Sequence, residues 1–250
     1  MSESTDYIIL TGATGAIGRE LAFALAEQGE NLILACRNSE KAESLKKEIE
    51  AVTCSSSAIR CVTLDLSSES SVREAVKLFK TFNVKGLINN AGTMQRRYAV
   101  DEKGREMTSA VNFYNTVALV DSLTDTLPDN SFITFTTSLT RFLPVRMVEQ
   151  TEQNFGQLTS YAVSKKMLTS YAARLAQSLA SRGIRVNCAD PGIVDSGMIS
   201  MQRWFDPIAD IFFRPFIRTP RKGAEVMLRA VFSPLTGKIF TLKNIRPLER

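Results

Sequence analysis

Tyr161 and Lys165 stand four positions apart in the run YAVSK, which is followed by apolar residues at helical spacing: Leu168, Tyr171, Ala172, Leu175 and Leu179. That periodicity predicts a helix and puts the phenol and the ammonium one turn apart on the same face. A tyrosine at its ordinary pKa near ~10 is a poor acid or base at neutral pH. An adjacent ammonium stabilises the phenolate and is expected to bring that value toward the working range. The sequence contains no histidine. A Ser-His-Asp triad, a His-ligated zinc and imidazole general-base chemistry are therefore excluded, and proton transfer must use another group. A Tyr-x-x-x-Lys pair on its own is most simply a solvated helix face, so its meaning depends on the motifs around it.

The second candidate is residues 11–18, TGATGAIG, set between the apolar run Tyr7–Leu10 and the amphipathic stretch Arg19–Gln28. In a strand, turn and helix of this kind, backbone N–H groups and the positive helix end can hold a pyrophosphate, and glycines let it approach closely. Read as TGxxxGxG, the loop has Ala16 where the middle glycine belongs; read as TGxxGxxG, it is complete with Gly12, Gly15 and Gly18. Thr14, Ala16 and Ile17 are expected to line the same cradle. An NAD site carries an acidic residue about 20 positions further on, accepting from the ribose hydroxyls. Here that stretch reads Leu34-Ala35-Cys36-Arg37-Asn38, with an arginine and no carboxylate. A guanidinium suits a 2′-phosphate, so Arg37, with Asn38 beside it, favours NADP(H) over NAD(H). The plainer reading of Arg37 is a residue that only ends a strand at the surface. Asp65, next to Leu66, follows the third strand, where a carboxylate can accept from an adenine amino group. It can equally begin a helix, since Ser67 and Ser68 also cap well. The positive ring of an oxidised nicotinamide would add to Lys165 in stabilising the Tyr161 phenolate.

These residues need a scaffold, and the chain supplies one by alternating short β-branched runs with helical-period segments. The strand candidates are 7–10, 31–35, 59–63, 86–89, 131–136, 184–188 and 238–241. Right-handed crossovers then predict an α/β fold: a doubly wound, seven-stranded parallel sheet in the order 3-2-1-4-5-6-7, with helices on both faces. A length of 250 residues, 44% apolar and 23% charged, suits one soluble domain, here 1–250. Two irregular excursions, near 139–158 and 193–218, lie past strand ends, where such folds build sites. Net charge is +5, but the basic residues are scattered and the clusters Arg96-Arg97 and Arg221-Lys222 are too short for a nucleic-acid footprint. The cysteines Cys36, Cys54, Cys61 and Cys188 form no CxxC, so free thiols and no metal are expected. The opening MSESTD is polar and no apolar run reaches the roughly 18 residues of a membrane span. A cytoplasmic location without stable membrane insertion is the expectation.

In order along the chain come TGATGAIG, Asp65-Leu66, Asn89-Asn90-Ala91-Gly92, Ser138, YAVSK and Pro191-Gly192-Ile193-Val194-Asp195-Ser196. Together they resemble the short-chain dehydrogenase/reductase family over about residues 6–241. The resemblance implies a single-domain Rossmann fold and an NAD(P)-dependent oxidoreductase acting on CH–OH groups. In it, Tyr161 is the acid/base, Lys165 lowers its pKa and holds the nicotinamide ribose, and Ser138 hydrogen-bonds the substrate carbonyl. Asn112 holds a water that links Lys165 to solvent. Asn90, Ala91 and Gly92 line the cofactor, while Pro191, Gly192 and the backbone near Val194 seat the carboxamide. Thr137 is an alternative to Ser138 as the carbonyl-binding hydroxyl. Ser196 stands where the family usually has threonine. The resemblance also implies a homodimer or homotetramer.

The stretch 98–112, YAVDEKGREMTSAVN, the late PFIRTPRKGAE and the 23-residue gap from Ser138 to Tyr161 are similar to the retinol dehydrogenase and protochlorophyllide reductase-like branch, whose members mostly prefer NADP(H). Residues 198–217 are rich in Trp, Phe and Ile, and in this family the region closes over the substrate. That suggests an apolar carbonyl or alcohol such as a steroid, retinoid or lipid-like molecule, with water excluded during transfer. Ordinary core packing of a helix pair, or a monotopic membrane contact flanked by Arg203, Arg214 and Arg218, are the other readings of this segment. Two further functions stay open. One is an extended-type nucleotide-sugar modifying enzyme, disfavoured because only 54 residues follow Ser196. The other is a non-catalytic NADP(H)-sensing or scaffold protein, which would have no need of the Asn-Ser-Tyr-Lys set.

Overall fold

The computed structural model describes residues 5–53, 57–148, 150–194 and 218–248. Eight strands form one sheet: β1 (Asp6–Thr11), β2 (Asn31–Cys36), β3 (Ile59–Thr63), β4 (Asn83–Asn89), β5 (Phe132–Thr136), β6 (Arg185–Ala189), β7 (Lys238–Phe240) and β8 (Ile245–Pro247). Their order across the sheet is β3-β2-β1-β4-β5-β6-β7-β8. The first seven strands occupy the expected order and pair in parallel, while β8 runs antiparallel to β7. The expected count of seven is thus corrected to eight. The extra strand is a three-residue edge piece with every residue exposed and a proline at its end, and it carries no hydrophobic alternation to read.

The central strands are buried on both faces, which explains their near-continuous apolar runs. In β1, Tyr7 and Ile9 join one core with residues of α3 (Glu69–Phe79), α5 (Asn115–Thr124) and α6 (Gln157–Ser178). Ile8 and Leu10 point the other way, into a second core with α1 (Ala16–Glu27), α2 (Ser39–Val52) and α7 (Pro220–Phe232). The two-residue period of the strand thus feeds both layers of helices.

Between β4 and α5 the chain makes one short helical turn, α4 (Met107–Ser109), and then a π-helical segment, Ala110–Tyr114, that runs into α5. A widened turn of this kind redirects one side chain relative to an α-helix, and here Asn112 sits within it. The first irregular excursion begins with a 3-10 turn, Leu139–Phe142, and ends where α6 starts at Gln157. At the base of the second, Val194 forms a parallel bridge with Arg218, and the Arg218 N–H donates to the Ile193 carbonyl at 2.7 Å. Residues 195–217, and with them Ser196 and most of the expected cap, lie outside the described residues, as does Cys54.

Candidate active site

The carboxyl ends of β1, β4, β5 and β6 meet along one edge of the sheet, and every described candidate residue is drawn toward it. At β1, Gly12 has φ +65° and a Cβ there would lie 2.8 Å from the Ala91 Cα. A Cβ at Gly18 would lie 2.1 Å from the Gly12 carbonyl oxygen. Gly12 and Gly18, shared by both glycine registers, are therefore demanded by the backbone. Gly15 is less constrained, since its built Cβ meets only the Gly12 oxygen at 3.3 Å. Ala16 opens α1 in ordinary helix geometry, so the absence of a glycine there costs the loop nothing.

Thr11, unassigned by sequence reasoning, fastens this loop to the end of β4. Its hydroxyl oxygen accepts from the Asn90 and Ala91 backbone N–H groups at 3.1 and 3.0 Å. The Asn90 side chain in turn donates to the carbonyls of Thr11 and Gly12, both at 3.2 Å. Asn90 thus shapes the cradle from beneath.

The start of α1 differs from that of its neighbours. Helices α2, α3 and α7 are capped by Asn38, Ser68 and Thr219, whereas Gly15 gives α1 no side-chain cap and its first turn has no acid. The first N–H groups and the positive end of α1 are left to an anion, and the two tight glycines clear the approach. The cradle therefore fits the pyrophosphate of a dinucleotide. Arg37 is exposed directly beyond β2, while the Asn38 side-chain Oδ1 accepts from Lys41 N at 2.8 Å as the α2 cap. Asp65 holds the turn before α3, accepting from Ser67 N at 2.9 Å and Ser67 Oγ at 2.7 Å, and Leu66 is buried in the core. Thr14 lies against the Cys36 thiol, and Ile17 packs toward Gly223.

The proton-transfer candidates converge on the other side of the edge. Ser138 lies near enough to Tyr161 to favour its ionised form, and the Lys165 ammonium stands 5.6 Å from the centre of the Tyr161 ring. Lys165 Nζ also donates to the Thr136 carbonyl at 2.8 Å, which anchors it to the end of β5. A Cβ at Gly92 would meet Asn112 Oδ1 at 3.3 Å and Lys165 Nζ at 3.4 Å, so this glycine sits directly over both. Asn112 accepts from Thr93 N at 2.7 Å and donates to Thr93 O at 2.8 Å and Ser164 Oγ at 3.0 Å. Both of its amide hydrogens are therefore committed to bracing the loop after Gly92 against α6. Ser164, quoted within YAVSK without a role, is the other half of that brace.

The two candidate hydroxyls diverge. Ser138 faces Tyr161, whereas Thr137 Oγ1 lies 2.7 Å from Thr169 Oγ1, whose own proton goes to Lys165 O. Alternation along the extended chain turns Thr137 into the core under α6.

Burial dominates the electrostatics of this cluster. Burial pushes the Tyr161 phenol up to about 12, helped by the Asp190 carboxylate and opposed by the Ser138 hydrogen bond. Burial likewise brings Lys165 down to about 8, against the charges of Cys188 and Asp190. Among protein groups alone, desolvation outweighs the expected lowering of the phenol by the neighbouring ammonium. Burial thus favours the neutral phenol at Tyr161.

Beside this cluster lies a pair that sequence reasoning missed. Arg141 Nη1 binds Asp190 Oδ2 at 2.5 Å, and both side chains are buried. Asp190 precedes Pro191, and its other oxygen accepts from Gly192 N at 3.0 Å. Gly192 has φ +75°, and Val194 is buried against Gly223.

The described residues contain no group of three acidic, cysteine or histidine side chains that could hold a metal, and no helix long and apolar enough to cross a membrane.

A sequence profile described as short chain dehydrogenase matches residues 6–204. Retinol dehydrogenase 11 of Homo sapiens is 32% identical over 237 residues, covering 90% of this chain and 72% of that protein. Its counterpart in Mus musculus is 34% identical over 231 residues, covering 88% and 71%. Among solved structures, a short chain dehydrogenase from Burkholderia cenocepacia J2315 in complex with NADP superimposes with a TM-score of 0.76 at 22% identity, over 95% of this chain and 96% of that one. At that identity the structural likeness speaks for the fold, and the sequence matches speak for the family. The chain is a member of the short-chain dehydrogenase/reductase family, of its retinol dehydrogenase-like branch, and an NAD(P)-dependent oxidoreductase acting on CH–OH groups.

Proposed function

We propose that the protein interconverts a carbonyl and an alcohol on an apolar small molecule, with NADP(H) preferred to NAD(H) and Tyr161 as the acid/base. The observation that carries this reading is the closeness of Ser138 and Tyr161, with Lys165 beside the phenol and Gly92 over the ammonium. It brings two hydroxyls together next to the expected floor of the cofactor site. The nicotinamide, when bound, supplies or takes up the hydride. Ser138 and Tyr161 hold the substrate oxygen between them, and the neutral phenol donates the proton that turns the reduced oxygen into a hydroxyl. Lys165, anchored on Thr136, keeps a positive charge beside the ring and so stabilises the phenolate that donation leaves. Asn112 holds the Gly92–Thr93 loop against α6 and fixes the distance between the cofactor floor and Lys165.

NADP(H) preference rests on Arg37, exposed beyond β2 where an NAD site would carry an acid. An apolar substrate is supported by the aromatic composition of 198–217 and by the retinol dehydrogenase relatives. That segment would act as the substrate cap.

Two variants test the reading. Tyr161→Phe should retain NADPH binding, read by nucleotide fluorescence, and lose turnover of all-trans-retinal, apolar ketones and quinones by about 10²–10⁴-fold. Retained turnover would remove Tyr161 from its role. Binding without turnover in the parent protein would instead favour a sensor. Arg37→Ala should weaken NADPH about tenfold to a hundredfold, as expected for a charge-assisted contact, and leave NADH nearly unchanged. Equal weakening of both would mean that Arg37 does not read the phosphate.

A further inference from the structure

Arg141 and Asp190 are 49 positions apart, yet they meet at 2.5 Å with exposures of only 7% and 2%. The same Arg141 nitrogen that binds Asp190 also donates to the Ser138 carbonyl at 2.7 Å. Asp190 answers from the β6 side. Its Oδ1 accepts from Gly192 N at 3.0 Å, and its own N–H donates to the Phe240 carbonyl at 2.8 Å. The Phe142 ring covers the guanidinium at 4.2 Å. One ion pair thus joins the residue that follows β5 to the residues that follow β6.

A buried ion pair is a poor device for stability alone, because desolvating two charges offsets most of their attraction and an apolar pair of similar volume does as well. Its geometry here serves a different end. Every side-chain hydrogen bond of the pair described above lands on Ser138 or on the Asp190–Gly192 segment. The charged and titratable groups that face the carboxylate are Arg141 from the turn after β5, Tyr161 and Lys165 from α6, and the Cys188 thiol from β6.

We propose that Arg141 and Asp190 are a positioning pair that locks the Ser138 loop to the Pro191–Gly192 loop and keeps the charge beside the Tyr161 phenol balanced. Neither residue touches the reacting atoms. Arg141 acts through Ser138, and Asp190 acts through Gly192 and through its field on Tyr161. The carboxylate by itself opposes ionisation of the phenol, as its effect on Tyr161 indicates. The guanidinium is always charged at accessible pH and, from contact distance, offsets part of the carboxylate's charge. Cys188, pushed up to about 12 by burial, stays neutral near physiological pH and adds no charge of its own.

The two halves of the pair therefore have opposite signs, which a merely structural role would not give. This proposal rests on the acid/base reading of Tyr161 above, and its test has one readout that requires turnover and one that does not. The first is the pH profile of all-trans-retinol oxidation with NADP⁺, whose rising limb follows the phenolate. The second is NMR of ¹³Cζ-tyrosine-labelled protein with NADP⁺, with the Tyr161 signal assigned by its loss in Tyr161→Phe. Asp190→Asn, nearly isosteric, leaves a lone guanidinium and should move both midpoints down by about one pH unit. Arg141→Met leaves a lone carboxylate and should move both up by a similar amount. Arg141→Lys keeps the charge and should restore the parent position.

Shifts of the same sign in Asp190→Asn and Arg141→Met, or an unmoved Tyr161 signal, would overturn the proposal. If Arg141→Met does not fold, Asp190→Asn decides the sign alone. Absence of retinol turnover in the parent protein would count against the proposed function, whereas the NMR titration would still judge the pair.

Discussion

The two sides of the site edge solve different problems with different materials. At the β1 end the cradle is made of backbone. Gly12 and Gly18 nest against each other and against Ala91, Thr11 and Asn90 clamp them from below, and the start of α1 carries no capping side chain. At the β5 and β6 ends the site is made of polar side chains, the buried Asn112 and Lys165 and the half-buried Ser138 and Tyr161, each beside a protein partner. The first region tolerates no added volume but is indifferent to most charges. The second has room for modest changes of shape, but each of its charges and hydroxyls is matched to another. Cofactor binding and chemistry should therefore fail in different ways when each side is altered.

The largest effect expected within the chemical side is Ser138→Ala. Removing one donor to the substrate oxygen should lower kcat by about 10²–10³-fold, with NADPH affinity unchanged in fluorescence titration. A loss of affinity instead would blur the division between the two sides.

Next comes pH. Lys165 is brought from 10.5 to about 8 in the folded protein, so between those values the unfolded chain binds more protons and stability rises with pH. Tyr161 is pushed from 10.0 to about 12, so between those values the folded chain holds more protons and stability falls. In denaturant titrations the stability of the parent relative to Lys165→Met should rise by up to about 3 kcal/mol from pH 8 to 10, while the thiols of Cys61 and Cys188, each pushed up to about 12, draw both curves down above pH 9. A difference that falls across pH 8–10 would contradict the burial of an ammonium.

On the cradle side, Gly18→Ala forces a Cβ against the Gly12 carbonyl and should destabilise the fold by about 1–3 kcal/mol. NADPH binding should suffer with it, while Gly15→Ala, whose Cβ would meet only the Gly12 oxygen at 3.3 Å, should be far milder in both thermal melts and binding. Equal effects at Gly15 and Gly18 would show that loop sequence, and not backbone contact, sets the cradle.

The smallest effect separates adjacent hydroxyls. Thr137→Ala removes a hydrogen bond to Thr169 and should cost about 1 kcal/mol of stability, with kcat within about threefold of the parent. A catalytic loss matching that of Ser138→Ala would reassign the carbonyl-binding group.

The same division explains what could be read from the chain. The cradle is local, eight consecutive residues after an apolar strand, and its strand-turn-helix context is visible in order. YAVSK is equally local, since one helical turn brings Tyr161 and Lys165 together. The seven parallel strands were legible because each is a buried apolar run with polar or helical segments on either side. Strand β8 was not, because three exposed edge residues ending in proline leave no pattern. The π-helical segment around Asn112 has the composition of an α-helix, so nothing in its sequence announces the widened turn. Arg141 and Asp190 escaped for another reason. Their meeting depends on how β5 and β6 align, and pairs this distant leave no periodicity behind. The effect of burial on Tyr161 and Lys165 was not legible either, because burial is a property of the assembled layers and not of a motif.

The bridge between Val194 and Arg218 has a consequence for how such a protein can change its diet. It pins the two ends of the intervening segment side by side, so its length is nearly decoupled from the sheet. Doubling a closed loop adds only about 0.6 kcal/mol of closure entropy. New residues could thus be spliced between positions 194 and 218 with little strain on β6, α7 or the proton-transfer cluster. If the proposed substrate cap holds, an exchange of that segment for one from a relative should change substrate scope while leaving the proton-transfer residues in place.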